Sequence, residues 1–411
     1  MEVKPGYKQT EVGVIPEDWD VEPLGTRASF KTGPFGSALH QSDYVDGGIP
    51  VINPMHINDG RITPNATMSV SEEAARRLTD FRMKSGEIII GRRGDMGRCA
   101  VVDEGHAGWM CGTGSMLIRP RLDHPDFLQR ILSSTVAIKA IEDASVGSTM
   151  INLNQATLSR LNIQIPPIEE QDAIATALSD MDALLDGLDR LIAKKRAIKQ
   201  ATMQQLLTGQ TRLPGFGGEW EVKRLGDLAE MGSGGTPLSS VPAYYDGEIP
   251  WVSISDMTKG GKFISNTERN LTALGLANSA AQIFPANTVL YAMYASLGEC
   301  SIAGIPVCTS QAILGIRTKG NLDAFFLYYY LTSLKPSIKN LGQQGTQANL
   351  NKGMVQDFCI NLPEIEEQTA IATVLSDMDA EITALETRRN KTRALKQAMM
   401  QELLTGRTRL I

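Results

Sequence analysis

Three arginines fall within seven residues in the run Gly91-Arg92-Arg93-Gly94-Asp95-Met96-Gly97-Arg98. A guanidinium is a planar fork of N–H donors that fits a carboxylate, a phosphate or a base edge. The glycines between them let a ligand approach the backbone closely. No other group of residues forms a reactive set. The chain has no G-x-x-x-x-G-K-[ST] phosphate loop and no G-x-S-x-G nucleophile elbow. Its four histidines, His40, His56, His106 and His124, all lie in the first half. Its five cysteines, Cys99, Cys111, Cys300, Cys308 and Cys359, form no C-x-x-C pair. A structural zinc site and a disulfide framework are therefore not expected, and a reducing cytoplasm fits. No catalytic carboxylate pair stands out. Asn53-Pro54-Met55 is not the Asn-Pro-Pro-aromatic motif that amino-methyltransferases use.

What positions these residues is a repeat. Residues 168–185 read IEEQDAIATALSDMDALL and residues 365–382 read IEEQTAIATVLSDMDAEI. The match runs on through Arg196 with Arg393 and Lys199-Gln200-Ala201 with Lys396-Gln397-Ala398. It ends on LLTG and Thr-Arg-Leu, with Thr211-Arg212-Leu213 answering Thr408-Arg409-Leu410. Upstream the likeness is weaker but keeps its order. Trp19, Val21, Leu24 and Gly25 match Trp220, Val222, Leu225 and Gly226; Asn152-Leu153-Asn154 matches Asn349-Leu350-Asn351. A variable half and a near-identical segment alternate twice.

Both near-identical segments read as long helices. Each opens on Pro and acids, which suit the positive end of a helix, and each closes on Gly209 or Gly406. The intervening stretch of about 39 residues would span about 58 Å. Apolar residues recur at 4-3-4-3 spacing: Ile174, Leu178, Met181, Leu185, Leu188 and Ile192, then Ile371, Leu375, Met378, Ile382 and Leu385. That spacing predicts a coiled-coil seam. It breaks at Lys194-Lys195-Arg196 and is expected to resume at Ile198, Thr202 and Leu206, matched by Leu395, Met399 and Leu403. Residues 169–189 hold seven acids and no base, and residues 190–212 hold six bases and no acid. Residues 364–386 and 387–411 follow the same order, with Glu402 as the one exception. Antiparallel pairing sets acid against base, so the sequence predicts an antiparallel pair with a pseudo-twofold, circular arrangement.

The chain has 411 residues, 42% hydrophobic and 21% charged, with a net charge of −6. These are globular values and predict more than one domain. No apolar run is long enough to span a membrane, and no apolar signal core opens the chain. The variable halves, 1–165 and 213–362, mix short strand-like runs with one amphipathic helix each, over about 125–142 and 322–334. The fold class is α+β: two α/β domains separated by two long helices, 166–212 and 363–411, that form an antiparallel coiled coil.

The layout resembles the specificity subunit of type I restriction–modification systems over nearly the whole chain. The motifs that carry it are IPPIEEQ…LSDMDALL, the LLTG endings, IPEDWDVEPLG, TGPFGSALHQSDY and GGTP…GEIPWVSISDM. The resemblance implies that 1–165 and 213–362 are target recognition domains, each reading one half of a split site in double-stranded DNA. It implies that the helices are spacers docking two methyltransferase subunits, with restriction–translocase subunits joining the full complex. It also implies that the chain has no active site of its own. S-adenosylmethionine, ATP and Mg would be bound by the partner subunits, so no cofactor and no metal are expected here.

Within that frame the loop Arg92, Arg93 and Arg98 is the first candidate for reading bases, since arginine is the commonest bidentate reader of guanine. The aligned second-half loop replaces all three arginines. It offers Tyr294 and Ser296, which would act by stacking and hydroxyl contact. Lys31, Ser37 and His40 are further candidates, with Ser233, Thr236 and Ser240 as second-half partners. Ser253 and Ser255, aligned with Asn53 and Met55, are expected to share one face of a strand. Gln343, Gln344 and Gln347, with Ser148 and Thr149 in the matching place, complete the set. For each of these a plain turn or strand role competes with DNA contact. Asn154 and Asn351, kept in both halves, are expected to be structural. Residues 1–165 carry 17 bases against 20 acids and 213–362 carry 10 against 11, so the chain alone is expected to bind DNA weakly. A scaffold that dimerises other proteins without reading DNA is the rival reading.

Overall fold

The computed structural model describes residues 4–34, 38–64, 68–144, 153–342 and 349–410, with only the backbone of 339–342. Two compact units divide it: Met1–Leu188 with Arg388–Ile411, and Asp189–Thr387. Each unit contains one variable half, the first part of one long helix and the last part of the other.

In the first unit the strand Ile88–Gly91 lies between Cys99–Val101 and Ser115–Pro120, with Ala28–Thr32 at the edge, all antiparallel. Successive strand residues face opposite sides. Ile88 and Ile90 pack with Phe127, Leu128 and Ile131, while Ile89 packs with Ile52, Ile57 and Met83. Both faces are covered, which is why this strand reads as an unbroken apolar run. A second small sheet sets Tyr44–Ile52 antiparallel to Ser69–Val70 and parallel to Met110–Cys111.

The second unit repeats this plan. Val289–Ala292 lies between Cys300–Ala303 and Ile313–Thr318, with Ala229–Ser233 at one edge. Phe263–Ile264 adds a parallel strand beyond Cys300–Ala303. Tyr245–Val252 stands antiparallel to Arg269–Leu271 and parallel to Cys308–Thr309.

The amphipathic helices differ from expectation. The first is two helices, Pro125–Leu132 and Thr135–Asp143, because the Ser134 hydroxyl accepts the Ala137 N–H at 3.2 Å and starts a new one. The second, Ala324–Gly342, runs past the residue-334 boundary and through Pro336, where a proline would ordinarily end it.

The long helices span Ile168–Leu207 and Ile365–Leu403. Ile174, Leu178, Leu185, Leu188, Ile192, Ile371, Leu375 and Ile382 are buried; Met181, Met378 and Leu385 are half-buried. The expected resumption fails at Ile198 and Leu395, which are 41% and 55% exposed, and holds further on, where Leu206 and Leu403 are buried and Thr202 and Met399 half-buried. The seam keeps its register instead, and lysines occupy it. In the second unit Lys195 pairs with Glu381 at 2.7 Å and Lys199 pairs with Asp379. In the first, Lys396 pairs with Asp182 at 2.5 Å. A long aliphatic stem lets lysine hold an inward position while its ammonium reaches a carboxylate.

One clasp occurs in each unit. The Trp19 indole donates to Glu170 at 2.9 Å, and Arg409 grips the same carboxylate at 2.6 and 2.7 Å. Trp220 donates to Glu367 at 3.1 Å, and Arg212 grips it with two bonds of 2.6 Å. The neighbouring glutamines bind backbone. Gln171 donates to the Pro166 carbonyl and accepts the His124 N–H; Gln368 donates to the Pro363 carbonyl and accepts the Asp323 N–H. The repeated Glu-Glu-Gln is thus a docking element for its own unit. Within each unit, partner numbers rise along the start of one helix as they fall along the end of the other and the residues that follow it: Glu170 with Arg409 and Asp182 with Lys396, then Glu367 with Arg212 and Asp379 with Lys199. The paired stretches are antiparallel.

Side chains of each variable half also hold the helix. Arg130 reaches Asp182 at 2.6 Å and Arg61 reaches Asp186 at 2.5 Å. In the second unit Tyr329 donates to Asp379, the counterpart of Asp182, at 2.5 Å, and Lys262 donates to Ser376 at 2.9 Å. Among the described residues no helix is long and apolar enough to cross a membrane.

Candidate nucleic-acid interface

Three segments converge around the arginine loop of the first unit. The loop leaves strand Ile88–Gly91 and returns at Cys99, closed by the Gly91 N–H donating to the Arg98 carbonyl at 2.8 Å. The Arg92 N–H donates to the Gly114 carbonyl at 2.9 Å, and the Leu153 N–H donates to the Arg92 carbonyl at 2.9 Å. The turn Asn53–His56 stands beside them. A side chain at Gly91 would sit 3.1 Å from Pro54, and Asn53 Oδ1 accepts the Gly114 N–H at 3.1 Å.

The second unit builds the same frame from a different sequence. The Ala292 N–H donates to the Glu299 carbonyl at 2.9 Å, Met293 N–H to the Ala312 carbonyl at 2.8 Å, and Leu350 N–H to the Met293 carbonyl at 3.1 Å. Gly94 has φ +81° and its counterpart Ala295 has φ +60°. The left-handed turn is therefore kept even where the residue is not glycine.

The side chains on this frame have different fates. Arg92 is only 8% exposed, and its Nε donates to the Leu153 carbonyl at 2.9 Å. Burial, with Arg93 beside it, lowers its pKa. Met293 fills the same buried place. Arg98 is half-buried, pairs with Asp95 and reaches Asn58 Oδ1 at 3.5 Å. Arg93 is exposed and has no ion-pair partner among the described residues. Its counterpart Tyr294 is half-buried and packs on the second unit's core beside half-buried Ser296.

The remaining candidates scatter. Lys31 pairs with Asp80 at 3.0 Å, its ammonium 4.8 Å from the Phe81 ring centre. His40 is exposed, and its backbone N–H donates to Asp43 at 2.8 Å. That bond, together with Arg77, lowers the Asp43 pKa. Ser233, the last residue of the strand Ala229–Ser233, and Thr236 beyond it are exposed, and the Ser233 carbonyl accepts Gln282 at 2.8 Å. Ser253 and Ser255 do not share a strand face, because the strand ends at Val252. Ser253 caps the helix Ile254–Gly260 through Asp256, and Ser255 donates to Glu268 at 3.4 Å. Ser37, Ser148, Thr149, Gln343, Gln344 and Gln347 lie outside the described residues. Asn154 and Asn351 each cap a short helix, accepting from Thr157 at 2.9 Å and Met354 at 3.0 Å.

Sequence reasoning missed Asn58, which joins Arg98 to the 53–58 turn. It also missed the clasp, although Glu170, Glu367, Arg212 and Arg409 are kept in both repeats and were there to be paired. Burial pushes the thiols of four cysteines up, to about 12 for Cys99 and about 11 for Cys308. No cluster of three or more His, Cys, Asp or Glu side chains able to hold a metal occurs among the described residues.

Two related domains that share one backbone frame and differ in the side chains it presents define a duplicated recognition protein. The chain belongs to the family described as the type I restriction modification DNA specificity domain, whose model matches residues 16–198 and 217–393. It is 26% identical to a putative type I restriction enzyme MjaX specificity subunit of Methanocaldococcus jannaschii, over 98% of this chain and 97% of that one. Its fold is similar to the S subunit of a type I restriction–modification system from M. genitalium, at 17% identity and TM-score 0.60, covering 98% of each chain. It is also similar to the HsdS subunit from Thermoanaerobacter tengcongensis, at 21% identity and TM-score 0.50, covering 96% of this chain and 98% of that one.

Proposed function

We propose that this chain is the DNA specificity subunit of a type I restriction–modification complex and that its halves, 1–165 and 213–362, each read one half of an asymmetric, two-part site. The observation that carries this is the pair of matched loops. The same hydrogen bonds frame 91–98 and 292–299, yet one presents an exposed arginine and the other a half-packed tyrosine. A frame kept while its contents change is what two different half-sites require.

On this reading the helices 166–212 and 363–411 form an antiparallel coiled coil that sets the separation of the half-sites. Their near-identity serves two copies of one methyltransferase partner, and restriction subunits complete the assembly. The partners carry S-adenosylmethionine, ATP and Mg and perform adenine methylation and ATP-dependent cleavage in the cytoplasm; this chain chooses the site. Membership of the specificity family and the antiparallel ion pairs inside each unit support this.

The test is binding of the purified complex with its methyltransferase partner to DNA carrying both half-sites, either half-site alone, or neither. Tight binding that needs both supports the reading. Equal binding to all four DNAs favours a scaffold that reads nothing.

A further inference from the structure

The turn beside the arginine loop presents an apolar side chain for which the fold has no use. Met55 is 62% exposed, yet its neighbours fix the turn rigidly. The Asn53 N–H donates to His56 Nδ1 at 3.1 Å, the His56 N–H donates to the Asn53 carbonyl at 2.9 Å, and His56 is 3% exposed. Pro54 lies against Gly91, where the arginine loop begins, and against Gly114, whose carbonyl accepts the Arg92 N–H. A chain of two hydrogen bonds then leads from Met55 to Arg98, at the far end of the loop that carries Arg93. Asn58 Nδ2 donates to the Met55 carbonyl at 3.3 Å, and Asn58 Oδ1 accepts from Arg98 at 3.5 Å. Lone exposed apolar residues are ordinary. One held on a braced turn beside the loop that carries Arg93, exposed and without an ion-pair partner among the described residues, is placed for a ligand that is apolar at one point and polar at the next.

The major groove offers that combination. Guanine presents two acceptors to arginine, and thymine presents a C5-methyl group to an apolar side chain. The second half differs at the same position: Ser255 is half-buried and bonded to Glu268, with no apolar surface to give. We propose that Met55 is a specificity residue of the first half-site, packing on the 5-methyl group of a thymine close to the guanine that Arg93 reads. The unbranched thioether suits the task because it adapts its shape to a small apolar target.

This rests on the chain being a DNA specificity subunit, and the experiment separates the two claims. Binding of the full chain with its methyltransferase partner is measured on its two-part site, with each thymine of the first half-site replaced in turn by uracil, which lacks only the methyl group. One replacement should weaken binding about fourfold, the scale of one buried methyl group. The Met55→Ser complex should bind the thymine and uracil DNAs equally, while Met55→Leu should keep most of the preference. Indifference to uracil at every position, or a first half-site without thymine, overturns the role of Met55 and leaves the function intact. Loss of the methyltransferase subunit from Met55→Ser would assign the residue to a protein interface and also overturn it. Failure of the wild-type complex to prefer any two-part site overturns the function itself.

Discussion

The guanidinium of Arg409 holds the fully buried carboxylate of Glu170 through two hydrogen bonds of 2.6 and 2.7 Å, although 239 positions separate them. Asp18 takes the outer side of the same guanidinium at 2.8 and 2.9 Å, and these carboxylates raise the Arg409 pKa, Glu170 most. A buried carboxylate left without its partner is costly. Arg409→Ala should therefore lower the stability of the first unit by about 3 kcal/mol, and Arg212→Ala should lower that of the second. Chemical denaturation monitored by amide exchange in each unit checks this. Glu170→Gln combined with Arg409→Ala should recover part of the loss, since the uncompensated charge is then gone.

Arg92 and Arg93 are adjacent but should behave oppositely. Arg93 is exposed and has no ion-pair partner among the described residues, so Arg93→Ala should leave the melting temperature unchanged. It should weaken discrimination at one half-site by about 1–3 kcal/mol, the scale of a bidentate base contact. Arg92→Ala removes a buried donor from the Leu153 carbonyl and should destabilise the first unit by about 1–3 kcal/mol. Competition binding with single-base variants, beside thermal melts, separates the two.

Much of this was legible in the sequence, for reasons that also explain the misses. The long helices announce themselves through the 4-3-4-3 spacing from Ile174 to Ile192. Past that point apolar spacing misleads, because Lys195 and Lys199 keep the seam and leave Ile198 outside it. Periodicity assigns positions by polarity and is blind to a lysine whose stem is inside and whose charge is paired. The arginine loop was visible as a cluster. That Arg92 points inward was not, since a glycine-rich loop has no period from which to read burial. Nor could Ser253 and Ser255 be placed: a serine beyond a strand suits a strand end and a helix cap alike, and Asp256 decides it.

Acid should act on the first unit before the second. Burial depresses the pKa of His56 in the fold. Its neutral form is the one the fold holds, accepting the Asn53 N–H on Nδ1. The unfolded chain therefore binds the proton more readily. The stability this residue contributes is present above its ordinary value of about 6.5 and is lost as pH falls through the lower folded value. Amide exchange at Ile57 and Ile89 should accelerate on going from about pH 7.5 to about pH 5.5, after correction for intrinsic rates. Val289 and Leu290, in a half without histidine, should show no matching change.

Each unit joins the acidic start of one helix to the basic end of the other, and the two helices carry the same pattern. A fragment of residues 1–212 should therefore dimerise, with Arg212 of one copy taking the place of Arg409 on Glu170 of the other. Sedimentation should give a dimer that Glu170→Ala converts to monomer. With the methyltransferase partner it should recognise a palindrome built from the first half-sequence.

On the proposed reading this chain chooses the DNA sequence through two unlike halves. Methylome sequencing of cells with and without the chain, their methyltransferase partner present in both, tests it most directly. An asymmetric two-part motif should be methylated only when the chain is present, and Arg93→Ala should relax one part of that motif alone. An unchanged methylome, or a motif in which both parts relax together, would show that the two halves do not choose the sequence separately.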